Sequence, residues 1–348
     1  MNTKILFLGD FFLNGSYNIE LPIECVHYPF ILNLEGPISN RGKPTPEKIS
    51  LVMREGIFER IFNRLLPMAV SLSNNHIMDY GNDAFEDTLI NLNKLGVKYF
   101  GAGVPEDNYN NPLIITVGDI KVALLGYCYA GYYDQIKHVK EGFRYGPAPL
   151  EIKRIQKDIK NLNNTVDRIV VSLHWGIEES NFPSKEQVFL ARKVVDIGAD
   201  CVISHHAHVV QPVEKYRNKI IAYNLGNFIF SDLIIPCFDN SGNLKGYYKK
   251  KQRWWNKSSI GIFIDFATLS FNIYPFYFDR CQVRVKSNFF HQYVNFNLEN
   301  NLTKLDELIS KNLKLKKLVN IILKNIEEPK LPSIKSILNF LQMLIKDQ

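Results

Sequence analysis

The sequence DCVISHHAH at residues 200–208 joins a short apolar run to a group of three histidines. The run Asp200–Ser204 is brief and rich in aliphatic residues, which predicts a buried strand. Imidazoles that directly follow a buried strand lie at the edge of a sheet, where they can bind a metal ion. A His-x-His pair on extended backbone can also direct both rings to one side. This stretch therefore predicts an α/β fold with a metal site at the edge of its sheet.

Short apolar runs of the same kind recur along the first two thirds of the chain and alternate with amphipathic stretches. The stretches Asp83–Leu95 and Ser184–Ile197 each place apolar residues on one helical face, and Ser184 is the expected N-cap of the second helix. Alternation of strands and helices predicts a layered α/β sheet whose active loops share one edge. The other predicted strands are Lys4–Gly9, Phe30–Leu34, Ala69–Leu72, Lys121–Tyr127 and Arg168–His174.

Polar residues follow several of these strands at the point where each ends. Asp10 and Glu35 come after the first two strands, Asn75 and His76 follow the third, and His174 ends another. In an open α/β sheet such positions converge on one crevice. Imidazole, carboxylate and amide oxygen together are typical ligands of Mn, Fe, Zn or Ni rather than of Ca or Mg. The sequence therefore predicts one or two divalent metal ions at this edge.

Residues 233–348 differ in character from the preceding part. Residues 233–300 are rich in aromatic residues, and Ser259–Phe266, Phe271–Phe278 and Gln282–Lys286 are predicted strands that extend the sheet system. Residues 301–348 have apolar positions at helical spacing and an excess of lysine. We therefore expect a domain at residues 1–300 and a basic amphipathic helical tail at 301–348. The tail could pack on the domain, form a homo-oligomer or lie on an anionic membrane.

The composition excludes several classes of protein. A hydrophobic content of 46% and a charged content of 22% are near globular averages. No run approaches the roughly 18–20 apolar residues that a membrane-spanning helix needs, and no cleavable signal layout begins the chain. The five scattered cysteines include no CxxC pair, which argues against a disulfide framework or a cysteine zinc site. We therefore expect a cytoplasmic location, with membrane contact only at the surface.

The formal net charge of +7 is concentrated in part in residues 241–258, which hold six cations and no acid. A solvated loop is the ordinary explanation of such a segment. However, Trp254 and Trp255 stand next to Arg253 here, and such residues are favoured on surfaces that are both apolar and wet. We therefore also consider these three as substrate contacts for an anionic partner, such as a phosphorylated glycan, a polymer or lipid head groups. Nucleic acid is not expected, because no nucleic-acid motif accompanies the charge.

The chain resembles a known family in a series of motifs that occur in family order and together span roughly residues 3–232. It is similar to the CapA-type proteins, named for poly-γ-glutamate capsule synthesis, in the calcineurin-like metallophosphoesterase superfamily. The matching motifs are FLGD (7–10), NLEGP (33–37), SNNHIMDYG (73–81), GAG (101–103), SLHWGIE (172–178), HHAHVVQPVE (205–214) and NLGNFIF (224–230).

The resemblance implies a four-layer α/β/β/α sandwich that holds metal at its strand ends. It implies that Asp10 and His208 bind one metal and that Glu35 stands where the superfamily has its metal-bridging Asp. It further implies that Asn75, His174 and His206 bind a second metal, with His76 as the acid that protonates a leaving oxygen. In such sites paired cations lower the pKa of a shared water toward ~7 and hold the phosphoryl oxygens.

Two positions depart from the pattern of the superfamily. A histidine two residues after the first Asp is normally a metal ligand, and here that position is Phe12. The Gly that usually precedes the final histidines is Ser204. One metal or two therefore remain open, and His205 and Glu178 are further candidate ligands.

The role of Asp79 has two explanations. Asp79 could cap the helix predicted at Asp83–Leu95. Alternatively, Asp79 could orient the His76 ring and share in catalysis, as histidines at metal sites often require.

Two hypotheses about function follow. The first is a metal-dependent phosphoester hydrolase, or phosphoryl transferase, that acts in capsule, cell-surface polymer or glycan metabolism. The second is a non-catalytic metal-binding component of a complex that assembles a capsule polymer such as poly-γ-glutamate. The ligand set favours the first hypothesis, and Phe12 favours the second.

Overall fold

Two large β-sheets contain most of the strands in this computed structural model, which describes residues 2–15, 19–20, 27–129, 144–162, 164–279 and 282–285. In chain order the strands are β1 (Lys4–Phe12), β2 (Phe30–Leu34), β3 (Ala69–Ser71), β4 (Lys98–Phe100), β5 (Ala102–Gly103), β6 (Leu113–Val117), β7 (Ile120–Cys128), β8 (Gly146–Pro147), β9 (Arg168–His174), β10 (Cys201–His205), β11 (Val213–Tyr216), β12 (Lys219–Ala222), β13 (Asn227–Phe230), β14 (Leu233–Phe238), β15 (Leu244–Lys250), β16 (Ser258–Asp265), β17 (Ser270–Asp279) and β18 (Gln282–Val285). The helices are α1 (Glu55–Phe62), α2 (Gly81–Lys94), α3 (Ile152–Leu162) and α4 (Lys185–Ile197), and Pro105–Asn110 forms a short 3-10 segment.

The first sheet has the strand order β18-β17-β16-β1-β2-β3-β4, and β13 also pairs with β1. Strands β1 to β4 are parallel, whereas β16 runs antiparallel to β1. The second sheet has the order β11-β12-β10-β9-β7-β6, with β12, β10, β9 and β7 parallel. Because parallel strands end at the same edge, each sheet gathers several strand ends in one place.

Four layers result from the way the two sheets bury their apolar faces. The inner faces pack on each other, where Ile5 and Phe7 of β1 meet Val170 of β9 and Ile203 of β10. Helices α1 and α2 cover the outer face of the first sheet, and α3 and α4 cover that of the second. The expected α/β/β/α sandwich is confirmed.

Most predicted elements lie within one to three residues of the observed ones. Strands β2 and β9 have the expected bounds, and the predicted strands beyond residue 258 extend the first sheet as β16, β17 and β18. Helix α4 begins after Ser184, whose hydroxyl accepts a hydrogen bond from the Gln187 N–H in a capping box. The expected tail at 301–348, with its oligomer and membrane contacts, lies outside the described residues.

Three cysteines fall within the described part of the chain, and all are free thiols. Cys128 and Cys201 are buried, and Cys237 is half-buried. Cys25 and Cys281 lie outside the described residues. Among the helices that are described, none combines the length and apolarity needed to cross a bilayer.

Candidate metal centre

The strand ends of both sheets meet at one edge of the sandwich. From the first sheet come Asp10 in β1, Glu35 directly after β2 and Asn75 in the loop after β3. From the second sheet come His174 at the end of β9 and the histidine group at 205–208 at the end of β10. The structure therefore brings the sequence-predicted ligands together from segments that are far apart in the chain.

Five of these side chains lie around one point. Asp10, Glu35 and His174 each offer an atom within 4.8 Å of the others, and all three are buried. Nε2 of His174 lies 3.4 Å from Glu35 Oε1 and 3.1 Å from Nδ1 of His206. The amide oxygen of Asn75 is 2.8 Å from the same His174 nitrogen. Two carboxylates, an amide oxygen and two imidazoles thus direct their ligand atoms at one another.

Asp10 is also the centre of a second, adjacent group. Its Oδ1 lies 3.2 Å from Nδ1 of His205, and its Oδ2 lies 3.3 Å from Nδ1 of His208. Nδ1 of His208 is also 2.9 Å from the amide oxygen of Asn227, the first residue of β13. The backbone at His206 and His208 has φ values of +95° and +56°, a left-handed region that side chains rarely adopt. Strain of this kind is concentrated at functional sites.

Asn33 forms a hydrogen bond to each of the two carboxylates. Its amide nitrogen donates to Asp10 Oδ1 at 2.9 Å and to Glu35 Oε2 at 2.5 Å. Asn74 in turn donates to the Leu34 carbonyl oxygen at 2.7 Å. Because these bonds engage one oxygen of each carboxylate, the other oxygens remain directed at the histidines.

The two carboxylates differ in their protonation. Burial raises the pKa of Glu35, and the adjacent Asp10 raises it further, to about 7. Burial also opposes ionisation of Asp10, but the adjacent imidazoles of His205 and His208 outweigh it and hold the pKa of Asp10 well below its usual range. Asp10 is therefore an ionised carboxylate at neutral pH. The surroundings of Glu35, in contrast, supply too little positive charge to keep its pKa at the usual value.

The histidines fall into two kinds. Burial lowers the pKa of both His174 and His206 well below the usual value, so both rings are neutral and their nitrogens can bind a metal. Burial also disfavours the charged form of His208, but Asp10 overcomes it and raises the pKa of His208 to about 9. In the metal-free protein, His208 is thus the cation that balances Asp10.

The residues present fit a divalent cation. Glu35 Oε1 and Nδ1 of His205 are buried without a hydrogen-bond partner, and both belong to the cluster. Buried polar atoms normally have such a partner, so unsatisfied ones that face other ligand atoms indicate a missing positive charge. Carboxylate, amide and imidazole donors suit Mn, Fe, Zn or Ni.

Phe12 stands at the position where the resemblance leads one to expect a further ligand. Its ring is fully buried and packs 5.4 Å from that of Phe230, which lies 5.0 Å from the His208 ring. Leu233 joins the same apolar cluster. The group around Asp10 and His208 is therefore bounded by an apolar wall, and His205 is the additional nitrogen next to Asp10.

The other additional candidate, Glu178, is exposed and lies 3.7 Å from Lys250, so it is not one of the buried donors.

His76 lies beside the cluster in a network that the loop after β3 forms. Its Nδ1 is 2.6 Å from Asp79 Oδ2, which also accepts the Leu51 N–H at 2.7 Å. Lys48 donates to Asp79 Oδ1 and to the Asn75 carbonyl oxygen. The expectation that Asp79 caps the following helix is wrong, because α2 starts at Gly81 and its N-cap residue makes no side-chain bond. Asp79 instead contacts His76, and its role in orienting that ring stays a prediction.

Three residues of the site have no assigned role in the sequence analysis: Asn33, Lys48 and Asn227. Asn33 is the one polar residue within the apolar strand β2, and this interruption is a signal that could have identified it. Asn227 belongs to a motif of the resemblance, but its contact with His208 depends on the pairing of β13 with β1. Lys48 has no comparable sequence signal.

The basic segment at 241–258 is part strand and part turn: Leu244–Lys250 is β15 of a β-hairpin, and residues 251–257 form a loop with a turn. Strands β14 and β15 pair only with each other among the described residues. The rings of Trp254 and Trp255 meet edge to face at 5.5 Å, and Arg253 lies 5.1 Å over the Trp255 ring. The Asn256 side chain donates to the His208 carbonyl oxygen at 3.4 Å. The segment therefore adjoins the candidate metal centre.

Comparisons with known proteins identify relatives of this chain. Residues 29–232 match the family model described as bacterial capsule synthesis protein PGA_cap. Capsule biosynthesis protein CapA of Bacillus anthracis is 36% identical over 163 residues, which are 46% of this chain and 39% of that protein. PGA biosynthesis protein CapA of Bacillus subtilis (strain 168) is 34% identical over 160 residues, 45% of this chain and 41% of that protein. The match thus covers about two fifths of each relative's own length.

A more distant likeness exists among solved structures. A 5'-nucleotidase from Candida albicans SC5314 aligns over 90% of this chain and 58% of its own, with 11% identity and a TM-score of 0.44.

Proposed function

The chain belongs to the PGA_cap family of bacterial capsule synthesis proteins, and on that premise we propose that it is a metal-dependent phosphoester hydrolase or phosphoryl transferase acting on a capsule or other cell-surface polymer. The buried group of Asp10, Glu35 and His174 is the observation that supports this chemistry most. Asn75 and His206 both contact Nε2 of His174 and so belong to the same group. The Bacillus relatives are named for capsule and PGA biosynthesis, which supports a role in a cell-surface polymer.

The metal in this proposal is held by residues of both sheets. Glu35, Asn75, His174 and His206 would hold one divalent cation, and Asp10 with His208 and His205 would hold a second or share the first. A bound divalent cation supplies Lewis acidity toward a phosphoryl oxygen and makes water a better nucleophile at neutral pH. Neutral His174 and His206 meet the requirement that a ligand nitrogen be unprotonated.

His76 is the proposed acid that protonates the leaving oxygen. Its ring is the partly exposed member of the group, whereas Asp79 behind it is buried. The Asp79 carboxylate accepts from Nδ1, which fixes the ring orientation and leaves Nε2 as the nitrogen available for proton transfer. Lys48 holds the Asp79 carboxylate and the Asn75 backbone together and thereby fixes the loop that presents His76.

Metal analysis combined with phosphatase assays tests the proposal. The purified protein is expected to bind divalent metal and to hydrolyse p-nitrophenyl phosphate or bis(p-nitrophenyl) phosphate when Mn is added. The matched control is Tyr127→Phe, which removes a buried hydroxyl that contacts Asp158 outside the metal cluster. Bound metal without turnover on either ester, with any of Mn, Fe, Zn or Ni, would contradict the enzymatic proposal.

The second candidate is a non-catalytic metal-binding component of a complex that assembles a capsule polymer such as poly-γ-glutamate. The buried Phe12, whose ring packs on Phe230 next to His208, favours it, because this position offers an apolar ring in place of a ligand. Under this proposal the metal would stabilise the strand ends and present a binding surface. Metal-loaded protein with no esterase activity is the result that this candidate predicts.

A further inference from the structure

The β14–β15 hairpin has one covered face and one exposed face. Leu233 and Ile235 are buried and pack with Tyr248 in the apolar cluster that contains Phe12. On the opposite face, Ile234 and Tyr247 are 61% and 58% exposed. Because side chains alternate along a strand, the exposed residues share the outer surface of the hairpin.

Among the described residues, two lysines of the hairpin are ion-paired and two lysines at the end of β15 are not. Lys245 is ion-paired with Glu47 at 2.9 Å, and Lys250 with Glu179 at 3.1 Å. Lys249 and Lys251 are exposed, and no carboxylate of the described residues lies within ion-pair distance of either. Residues 240–257 contain no acidic residue that could neutralise them. Within the part of the chain that the structure describes, the outer surface therefore has two positive charges without an acidic partner, next to exposed apolar side chains.

The hairpin adjoins the candidate metal centre through its covered face and through the chain that follows it. Lys250, between the two free lysines, contacts the loop that follows His174 through Glu178 and Glu179. After the hairpin, the chain returns to the centre, where Asn256 donates to the His208 carbonyl oxygen. The hairpin therefore stands next to the candidate metal centre.

We propose that the outer face of the β14–β15 hairpin, formed by Ile234, Tyr247, Lys249 and Lys251 and continued by Trp254, binds a linear polymer with a negative charge on each repeat. The lysines meet the charged groups, while Ile234, Tyr247 and Trp254 cover the apolar parts of the repeats. The direction of the polymer toward the metal rests on the proposed function, but binding to the hairpin does not require turnover. Charge complementarity favours a polyanion. Because the hairpin adjoins the metal centre, this polyanion is the substrate rather than an unrelated molecule.

A binding measurement tests this surface separately from catalysis. The probe is fluorescein-labelled poly-L-glutamate, whose binding is followed by fluorescence anisotropy at low salt and at 0.15 M salt. Lys249→Gln combined with Lys251→Gln is expected to weaken binding about tenfold, since two surface charge contacts are lost. The matched control is Lys98→Gln combined with Lys215→Gln, which removes two exposed strand lysines elsewhere in the two large sheets. The control is expected to change the affinity less than twofold.

Several outcomes would overturn this inference. Equal weakening by both double variants would show that only net charge matters, and absence of binding by the wild type would exclude the site. Sedimentation of the protein with phosphatidylglycerol vesicles, without affinity for the polymer, would assign the hairpin to a membrane surface. Because the assay measures binding alone, failure of the phosphatase assay would leave a positive polymer result standing. Conversely, active enzyme with unchanged polymer affinity in the hairpin variant would overturn this inference alone.

Discussion

Asn33 illustrates how one residue can set the geometry of a charged site. Its amide nitrogen donates to one oxygen of Asp10 and one of Glu35. Two buried carboxylates this close repel each other, and a shared donor reduces that repulsion without adding a full charge. The remaining oxygens are then free to bind a cation. A neutral amide suits this position better than a lysine, which would compete with the metal.

His76→Ala is expected to slow turnover by roughly 10²–10⁴-fold while the metal remains bound. The reason is that His76 contacts Asp79 and not the donor atoms around His174, so its loss removes a proton donor but no ligand. Steady-state kinetics with an aryl phosphate and metal analysis of the same sample measure both quantities. His27→Ala, which changes an exposed histidine, is the control. Loss of metal from the His76 variant would instead make His76 a ligand.

Lys48→Met is expected to lower kcat about 10–100-fold with a much smaller change in KM, the usual range for residues that position others at a metal site. The ammonium group holds both the Asp79 carboxylate and the Asn75 carbonyl oxygen, so its loss releases the loop that presents His76. Lys48→Arg is expected to restore most of the activity.

Lys245→Met serves as the control for Lys48, because it breaks the ion pair with Glu47 on the surface of the hairpin. If Lys48 only stabilised the fold, Lys48→Met would lower the melting temperature while the kcat of folded, metal-loaded protein stayed at the wild-type value.

Individual site residues were predictable where a strand end and a ligand type coincided. Asp10, His174 and His206 meet both conditions, and the structure places them together. Their roles as ligands stay predictions until metal is measured. Lys48 and Asn227 could not be found, because their contacts arise only when segments distant in the chain come together.

At the scale of the elements, the pairing of β13 with β1 depends on the absence of a side chain at residue 9. A Cβ atom on Gly9 would lie 1.9 Å from the Gly226 carbonyl oxygen. That same oxygen accepts the backbone N–H of Asp10 at 3.0 Å. The close approach of the two strands therefore places Asp10 beside Asn227, whose amide contacts His208.

Gly9→Ala is expected to lower the free energy of unfolding by about 3 kcal/mol, at the upper end for an overpacked core. It should also weaken metal binding, because β13 must move away from β1 and Asn227 moves with it. Gly56→Ala in α1 is the matched control, since a Cβ there meets nothing within 4 Å. The control should raise stability by about 0.4–1 kcal/mol. Chemical denaturation and metal titration of both variants test this, and equal effects would refute it.

Elements were predicted well where apolar runs were long enough to define a strand or a helical face. Strands β2 and β9 and the N-cap of α4 are examples. The hairpin was harder to predict. Its lysines looked unneutralised in the sequence, but Glu47, Glu179 and Asp279 from other segments pair with three of the basic residues. Such pairing depends on tertiary structure and leaves no local pattern.

At the scale of the whole molecule, the candidate ligands connect the two sheets. Asp10, Glu35 and Asn75 belong to the first sheet and its loops, whereas His174 and His206 belong to the second. The inner faces of the two sheets are held together by apolar packing. At this edge the contacts are instead between polar groups, and Oε1 of Glu35 among them has no hydrogen-bond partner. A cation bound here would therefore link two halves of the sandwich.

Removal of metal is expected to lower the melting temperature of the whole protein and to speed amide hydrogen exchange at the ends of β1, β2, β9 and β10. A ligand that binds only the folded state stabilises it by about 2.7 kcal/mol at a hundredfold excess over its Kd. Scanning calorimetry with Mn and then with excess chelator measures this shift. His174→Ala and His206→Ala should each abolish the shift, whereas Tyr127→Phe should lower the baseline melting temperature but keep the shift. If His174→Ala instead retained its metal and simply melted earlier, His174 would be a core residue and the two sheets would be held together by packing alone.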